Sequence, residues 1–156
     1  MLTDEDYMRI ALEEAGRAFE EDEAPIGAVL VQNGNIIART HNAPIRLADP
    51  SAHAEMLAIR KACAIAGNYR LTGAELFVTL EPCAMCAGVI LQARIKRVVF
   101  GAHDPKTGAV VSLYQLLNDK RLNHQVEITA GVLKAECGEI LSRFFKQKRV
   151  RALSAP

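Results

Sequence analysis

Cysteine and histidine are scarce in this chain of 156 residues, with four of each, and tryptophan is absent. Apolar runs such as "IGAVLV" fall far short of the roughly 20 residues a membrane-spanning helix needs. The opening "MLTDEDYMRI" is acidic and has no apolar core of the kind an export signal carries. A reducing cytoplasm is therefore the expected setting. There a Cys-x-x-Cys points to metal or redox chemistry before a structural disulfide. Repeats, low-complexity tracts and linkers are also missing, so residues 1–156 are expected to form one domain. Half of the residues are hydrophobic, which excludes a disordered chain.

Charge is nearly balanced overall, at +1, but it is unevenly placed. Residues 1–23 hold nine acids and two bases, a net of −7, which leaves +8 for the remainder. A basic body behind an acidic first segment suits a polyanionic partner, and it suits an ordinary solvated surface as well.

Thr3 can cap a helix reaching about residue 21, with Tyr7, Ile10, Ala11, Ala15, Ala18 and Phe19 on one stripe. "PIGAVLVQNGNIIARTHN" reads as a β-hairpin turning at Asn33-Gly34. A helix is expected over about 52–66, then a strand in "AELFVTL", a helix in "AMCAGVILQAR" and a strand in "KRVVFG". A short helix in "SLYQLLND", an extended "QVEITAGV" and a last helix over about 134–148 complete the chain. Strands alternating with helices after a hairpin predict an α/β fold, a single mixed sheet with helices on both faces.

Two of the four cysteines, Cys83 and Cys86, stand three apart in "VTLEPCAMCAGVI", at the start of a predicted helix. That spacing puts both sulfurs on one face, where the helix N-terminus favours thiolate. Upstream, "SAHAEML" supplies His53 and Glu55. His53 with the two cysteines is a three-ligand set suited to one zinc ion. A fourth position is left for water, whose pKa zinc lowers to about 7. A closed four-ligand clip would need Cys63 or Cys137; both fall on apolar helical stripes with no ligand spacing to the other three, and Cys63 is expected to be a buried thiol. Residues i and i+2 of a helix point to nearly opposite sides. His53 and Glu55 can therefore share a site only if regular helix begins at about Ala54. Glu55 is then the proton carrier; as an alternative it is a first-turn acid complementing the helix dipole.

His-Ala-Glu followed by Pro-Cys-x-x-Cys is the signature of zinc nucleobase deaminases. From about Tyr7 to Arg149 the sequence further resembles the bacterial tRNA-specific adenosine deaminases. The likeness is carried by "PIGAVLV", "HNAPI", "DPSAHAEM", "NYRL", "LFVTLEPCAMCAG", "RIKRVVFGAHDPKTGA", "LNHQVEITAGVL" and "FFKQKR". It implies the cytidine deaminase-like three-layer α/β/α fold and a homodimer that grips a tRNA anticodon stem–loop. It also implies hydrolytic conversion of the wobble adenosine to inosine with release of ammonia. By the same likeness His53, Cys83 and Cys86 hold the zinc and Glu55 is catalytic. Asn42 contacts the flipped nucleotide, and Asp104 and Lys106 lie in a loop beside the RNA. Arg149 and Phe145 belong to the RNA-facing last helix.

Each of these residues also has a plainer reading. Asn42 ends a strand and Asp104 precedes a proline, so both can simply form turns. Of Phe144 and Phe145, at least one is expected in the core. "RFFKQKRVR" carries five bases and no acid, which suits RNA and also suits a helix C-terminus. Two other functions fit the motifs. One is a deaminase of a free base or nucleotide, and the other is a zinc-stabilised RNA-binding module, which would have no need of Glu55.

Overall fold

The computed structural model describes residues 1–154. Helix α1, Asp4–Glu20, begins at a capping box in which Thr3 and Asp6 exchange side chain-to-backbone hydrogen bonds of 2.8 and 3.2 Å. Strands β1, Gly27–Gln32, and β2, Asn35–His41, form the hairpin, and Asn33 and Gly34 both adopt the positive φ its turn requires. There follow α2 at Ala54–Ala66, β3 at Glu75–Leu80, α3 at Ala84–Gln92, β4 at Arg97–Ala102, β5 at Glu127–Ala130 and α4 at Lys134–Ser154. The sheet order is β2-β1-β3-β4-β5. β1 runs antiparallel to β2 and β3, whereas β3, β4 and β5 are parallel, so the sheet is mixed as expected.

Both faces of the central strands are buried, which is why they read as unbroken apolar runs. Leu30, Leu76, Val78, Val98 and Phe100 pack with Ala58, Ile59, Ala87 and Ile90 of α2 and α3. Val29, Val31, Phe77 and Val99 pack on the other side, with Tyr7, Met8 and Ala11 of α1 and Cys137 of α4. The antiparallel hairpin brings the start of β1 and the end of β2 to the same sheet end as the C-termini of β3 and β4. Parallel α/β sheets place ligands at that end.

Three expectations need correction. The segment 112–119 forms no helix. Its backbone groups bond outside the segment instead: Leu113 and Tyr114 N–H donate to the Gly108 carbonyl, Leu116 N–H to the Ala109 carbonyl, and the Leu117 carbonyl accepts from Val126 N–H. The last helix runs on to Ser154, past the expected end at 148. Cys63 is only partly buried, its thiol donating to the Tyr69 carbonyl at 3.5 Å. The final two residues of the tail "ALSAP" lie outside the described residues.

Candidate active site

Cys83 is the N-cap of α3 and His53 the N-cap of α2, both with extended backbone. Helix α2 therefore starts at Ala54, and His53 escapes the helical geometry that would have turned it away from Glu55. His53 makes no side-chain cap. Its Nδ1 lies 3.6 Å from Cys83 Sγ and 3.6 Å from Cys86 Sγ. The three ligand atoms all fall within 4.8 Å of one another. Zinc with Zn–S of about 2.3 Å and Zn–N of about 2.05 Å in a tetrahedron needs S···N of about 3.6 Å, so the donor set fits the ion. Among the described residues no fourth His, Cys, Asp or Glu joins the cluster. Cys137 is wholly buried in the sheet-facing core and Cys63 lies farther along α2.

The hydrogen bond shared with Cys86, opposed by burial and aided by His53, draws the Cys83 thiol down to about 4. Cys86 is pushed the opposite way by Cys83 and by burial. Metal binding takes cysteine as thiolate, the form toward which the surroundings of Cys83 draw it. Glu55 is 3% exposed. Burial raises its carboxyl to about 7, against the opposing pull of a backbone N–H and of His53. A carboxyl poised near neutrality can both take up and give back a proton.

All of this opens into one cavity of about 940 Å³. His53, Glu55 and Cys83 line it, with Asn42 from the end of β2 and Asp104 and Lys106 from the loop after β4. Phe145 and Arg149 of α4 line it as well, so every residue singled out in the sequence for substrate contact meets at one place. Cys86 is buried beneath it.

Asn42 is not a turn former. Its Oδ1 accepts the Ala54 N–H at 2.7 Å, and because an N–H needs an acceptor, the orientation of the amide is fixed. No buried side-chain nitrogen or oxygen is unpartnered among the described residues, so its amino group remains accessible at the cavity. Asp104 does form a turn, its carboxylate accepting from the Lys106 and Thr107 N–H groups and the Thr107 hydroxyl. Phe144 is 6% exposed and packs edge-on to Phe19, whereas Phe145 is 46% exposed.

Part of the basic stretch of α4 has partners within the chain. Lys148 and Arg151 pair with Asp22 at 2.8 and 3.0 Å, and the Arg143 guanidinium lies over the Phe19 ring. Lys146 and Arg149 make no ion pair among the described residues. Part of the acidity of the first segment is paired within the chain, through Asp22, the Asp4–Arg97 pair and the buried Glu14 beside Arg39 and His41. A residue the sequence did not single out is Glu81, a buried carboxylate that also lines the cavity. "LEPC" gives no local sign of this, because its partners lie 23 to 31 residues downstream.

Residues 1–102 match the family model of the cytidine and deoxycytidylate deaminase zinc-binding region. The chain is 52% identical over 155 residues to the tRNA-specific adenosine deaminase of Bacillus subtilis (strain 168), covering 99% of this chain and 96% of that protein. This chain belongs to the tRNA-specific adenosine deaminase family.

A solved structure from a study of A-to-I editing by tRNA:A34 deaminases at the wobble position of transfer RNA superposes with a TM-score of 0.84 at 49% identity. The match covers 86% of the deaminase described here and 98% of that chain. A guanine deaminase from Nitrosomonas europaea shares the fold, with a TM-score of 0.81 at 21% identity over 92% of this chain and 85% of that one. The family is zinc-binding, and His53, Cys83 and Cys86 are the ligand set this deaminase offers. Among the described residues no helix is long and apolar enough to cross a membrane.

Proposed function

We propose that this chain deaminates the wobble adenosine of a tRNA anticodon to inosine. Adenosine and water become inosine and ammonia: the C6–N bond breaks and the water oxygen becomes the C6 carbonyl. The observation that carries this is Glu55, buried beside the zinc-binding trio on a cavity whose rim holds Lys106, Phe145 and Arg149. A metal-stabilised binding module has no need of a carboxyl in that place.

When bound, zinc supplies Lewis acidity and lowers the pKa of coordinated water toward neutrality. Glu55 takes the proton from the attacking water, delivers it to ring nitrogen N1, and later protonates the departing amine. The Asn42 amino group, held by its bond to Ala54, orients the extruded nucleotide. The exposed Phe145 ring offers a stacking face, and Lys106 and Arg149 meet phosphates. An anticodon loop suits this chemistry because an unpaired base leaves the stack at lower cost than a paired one. We further propose that two copies act as a homodimer in the cytoplasm, where tRNA is processed. Sedimentation at working concentration tests the dimer, and a monomer carrying full activity would refute it.

The decisive experiment is product analysis on an anticodon stem–loop with a wobble adenosine, beside free adenosine, cytidine and guanine, with Glu55→Ala as control. Inosine should form only in the stem–loop and only with the unaltered protein. Deamination of a free compound instead would move the assignment to a small-molecule deaminase.

A further inference from the structure

Glu81 follows β3 and precedes the zinc-site segment Pro82–Cys83. Its side chain is 2% exposed and has no cationic side chain within ion-pair distance among the described residues. An isolated buried carboxylate is costly unless hydrogen bonds replace its lost water. Here they do. One oxygen accepts the Asp104 N–H at 3.0 Å and the Ser112 hydroxyl. The other accepts the N–H groups of Val110, Val111 and Ser112 at 3.1, 2.8 and 2.9 Å. Three successive amides converging on one oxygen make an anion-binding nest. The anion in this nest comes from the protein itself.

The donors come from both ends of the loop after β4. Between them stand Lys106 and Thr107, on the cavity wall. Gly108, at the same turn, bridges to Cys83, and Ala109 N–H donates to the Pro82 carbonyl at 2.8 Å. A Cβ at Gly108 would overlap the Glu81 carboxyl and the Asp104 carbonyl. The loop thus closes on Glu81 with no room to spare.

We infer that Glu81 is a positioning residue: it clamps the 104–112 loop so that Asp104, Lys106 and Thr107 present a fixed wall to RNA bound over the zinc site. This rests on the tRNA function proposed above. A glutamine there keeps the shape but has one acceptor oxygen, and its NH₂ group would face backbone N–H donors. The carboxylate should therefore govern how well the loop receives substrate, and leave the zinc trio and Glu55 as they are.

The test compares Glu81→Gln, Ser112→Ala and Gly108→Ala with the wild-type protein on the anticodon stem–loop, measuring KM and kcat separately. Zinc content and amide exchange at Asp104, Val110, Val111 and Ser112 are measured alongside. Glu81→Gln is expected to raise KM at least about tenfold with kcat within about threefold and zinc unchanged. Faster exchange should be confined to those four amides. Ser112→Ala, which removes one of the five hydrogen bonds, should shift KM part of the way.

A Glu81→Gln protein with wild-type KM overturns the inference, and so does one that loses kcat alone. If Glu81→Gln fails to fold, the other two decide: an unchanged KM in both, with their loop amides exchanging faster, overturns it. A wild-type protein that makes no inosine in the stem–loop refutes the proposed function instead. In that case the loop amides still report, through Glu81→Gln exchange, whether the carboxylate clamps them.

Discussion

Asn42 Oδ1 accepts the N–H of Ala54 at 2.7 Å, from a strand end twelve residues earlier in the chain. A helix N-terminus ordinarily receives such a bond from its own N-cap side chain. In α2 that residue is His53, whose ring is turned to Cys83 and Cys86. The metal site and the helix cap compete for one side chain, and Asn42 supplies the cap from elsewhere.

Asn42 therefore has two separable duties. Asn42→Asp keeps an acceptor for Ala54 and loses the amino group at the cavity. Its thermal stability should stay near wild type, while Asn42→Ala loses about 1 kcal/mol. Both should lose activity on the stem–loop by about tenfold or more. Thermal melts beside kinetics check this, and a fully active Asn42→Asp would remove the substrate role.

Metal retention and turnover should part company at Glu55. Glu55→Ala should keep about one zinc per chain and lose about 10²- to 10⁴-fold in turnover. Cys83→Ala and Cys86→Ala should lose the metal and the activity together. Metal analysis of each purified protein decides it, and an active, metal-free wild type would sink the zinc mechanism.

The neighbouring phenylalanines of α4 make an internal control. Phe144→Ala removes a buried ring and should cost stability of about 3–5 kcal/mol. Phe145→Ala should leave unfolding nearly unchanged and weaken stem–loop binding by about 1–3 kcal/mol, the worth of one stacked base. Denaturant titration and binding isotherms on both proteins would expose a reversed pattern.

The Asp4–Arg97 pair, at 2.7 Å, ties α1 to β4. The hydrogen bond from Arg97, opposed by partial burial, lowers the Asp4 carboxyl below its ordinary 3.8. A carboxyl depressed by folding contributes stability that is fully present above its unfolded pKa and is lost as pH falls through the folded one. Asp4→Asn should therefore melt lower than wild type near pH 6. The gap should close as both are titrated well below 3.8. A gap that persists in strong acid would show that the contact does not depend on charge.

The features legible in the sequence were those encoded within a few residues. Asn33-Gly34 fixed its turn, Thr3 its cap, and Cys83 with Cys86 their shared face. The i, i+2 separation of His53 and Glu55 required a helix starting at Ala54, where α2 begins. What could not be read was decided by closure between distant segments. Ser112 to Asp119 reads as a helix locally, yet its Leu116 N–H goes back to the Ala109 carbonyl and its Leu117 carbonyl is taken by Val126 N–H, so no helical ladder closes. Cys63 sits at an apolar helical position, but its thiol finds a carbonyl at the partly open end of α2.

The same holds for the charges on α4, and it bears on how the protein responds to salt. Binding that neutralises phosphates releases the cations condensed on RNA, so affinity falls with salt in proportion to the phosphates neutralised. Asp22 already does for Lys148 and Arg151 what a phosphate would do. RNA that recruits these two cations must leave Asp22 to gather a counterion of its own. The salt slope should thus report fewer charges than the helix displays, and Asp22→Asn should steepen it. Asp22 is a counterion built into the chain, and it sets how much of the charge of Lys148 and Arg151 a bound polyanion would gain.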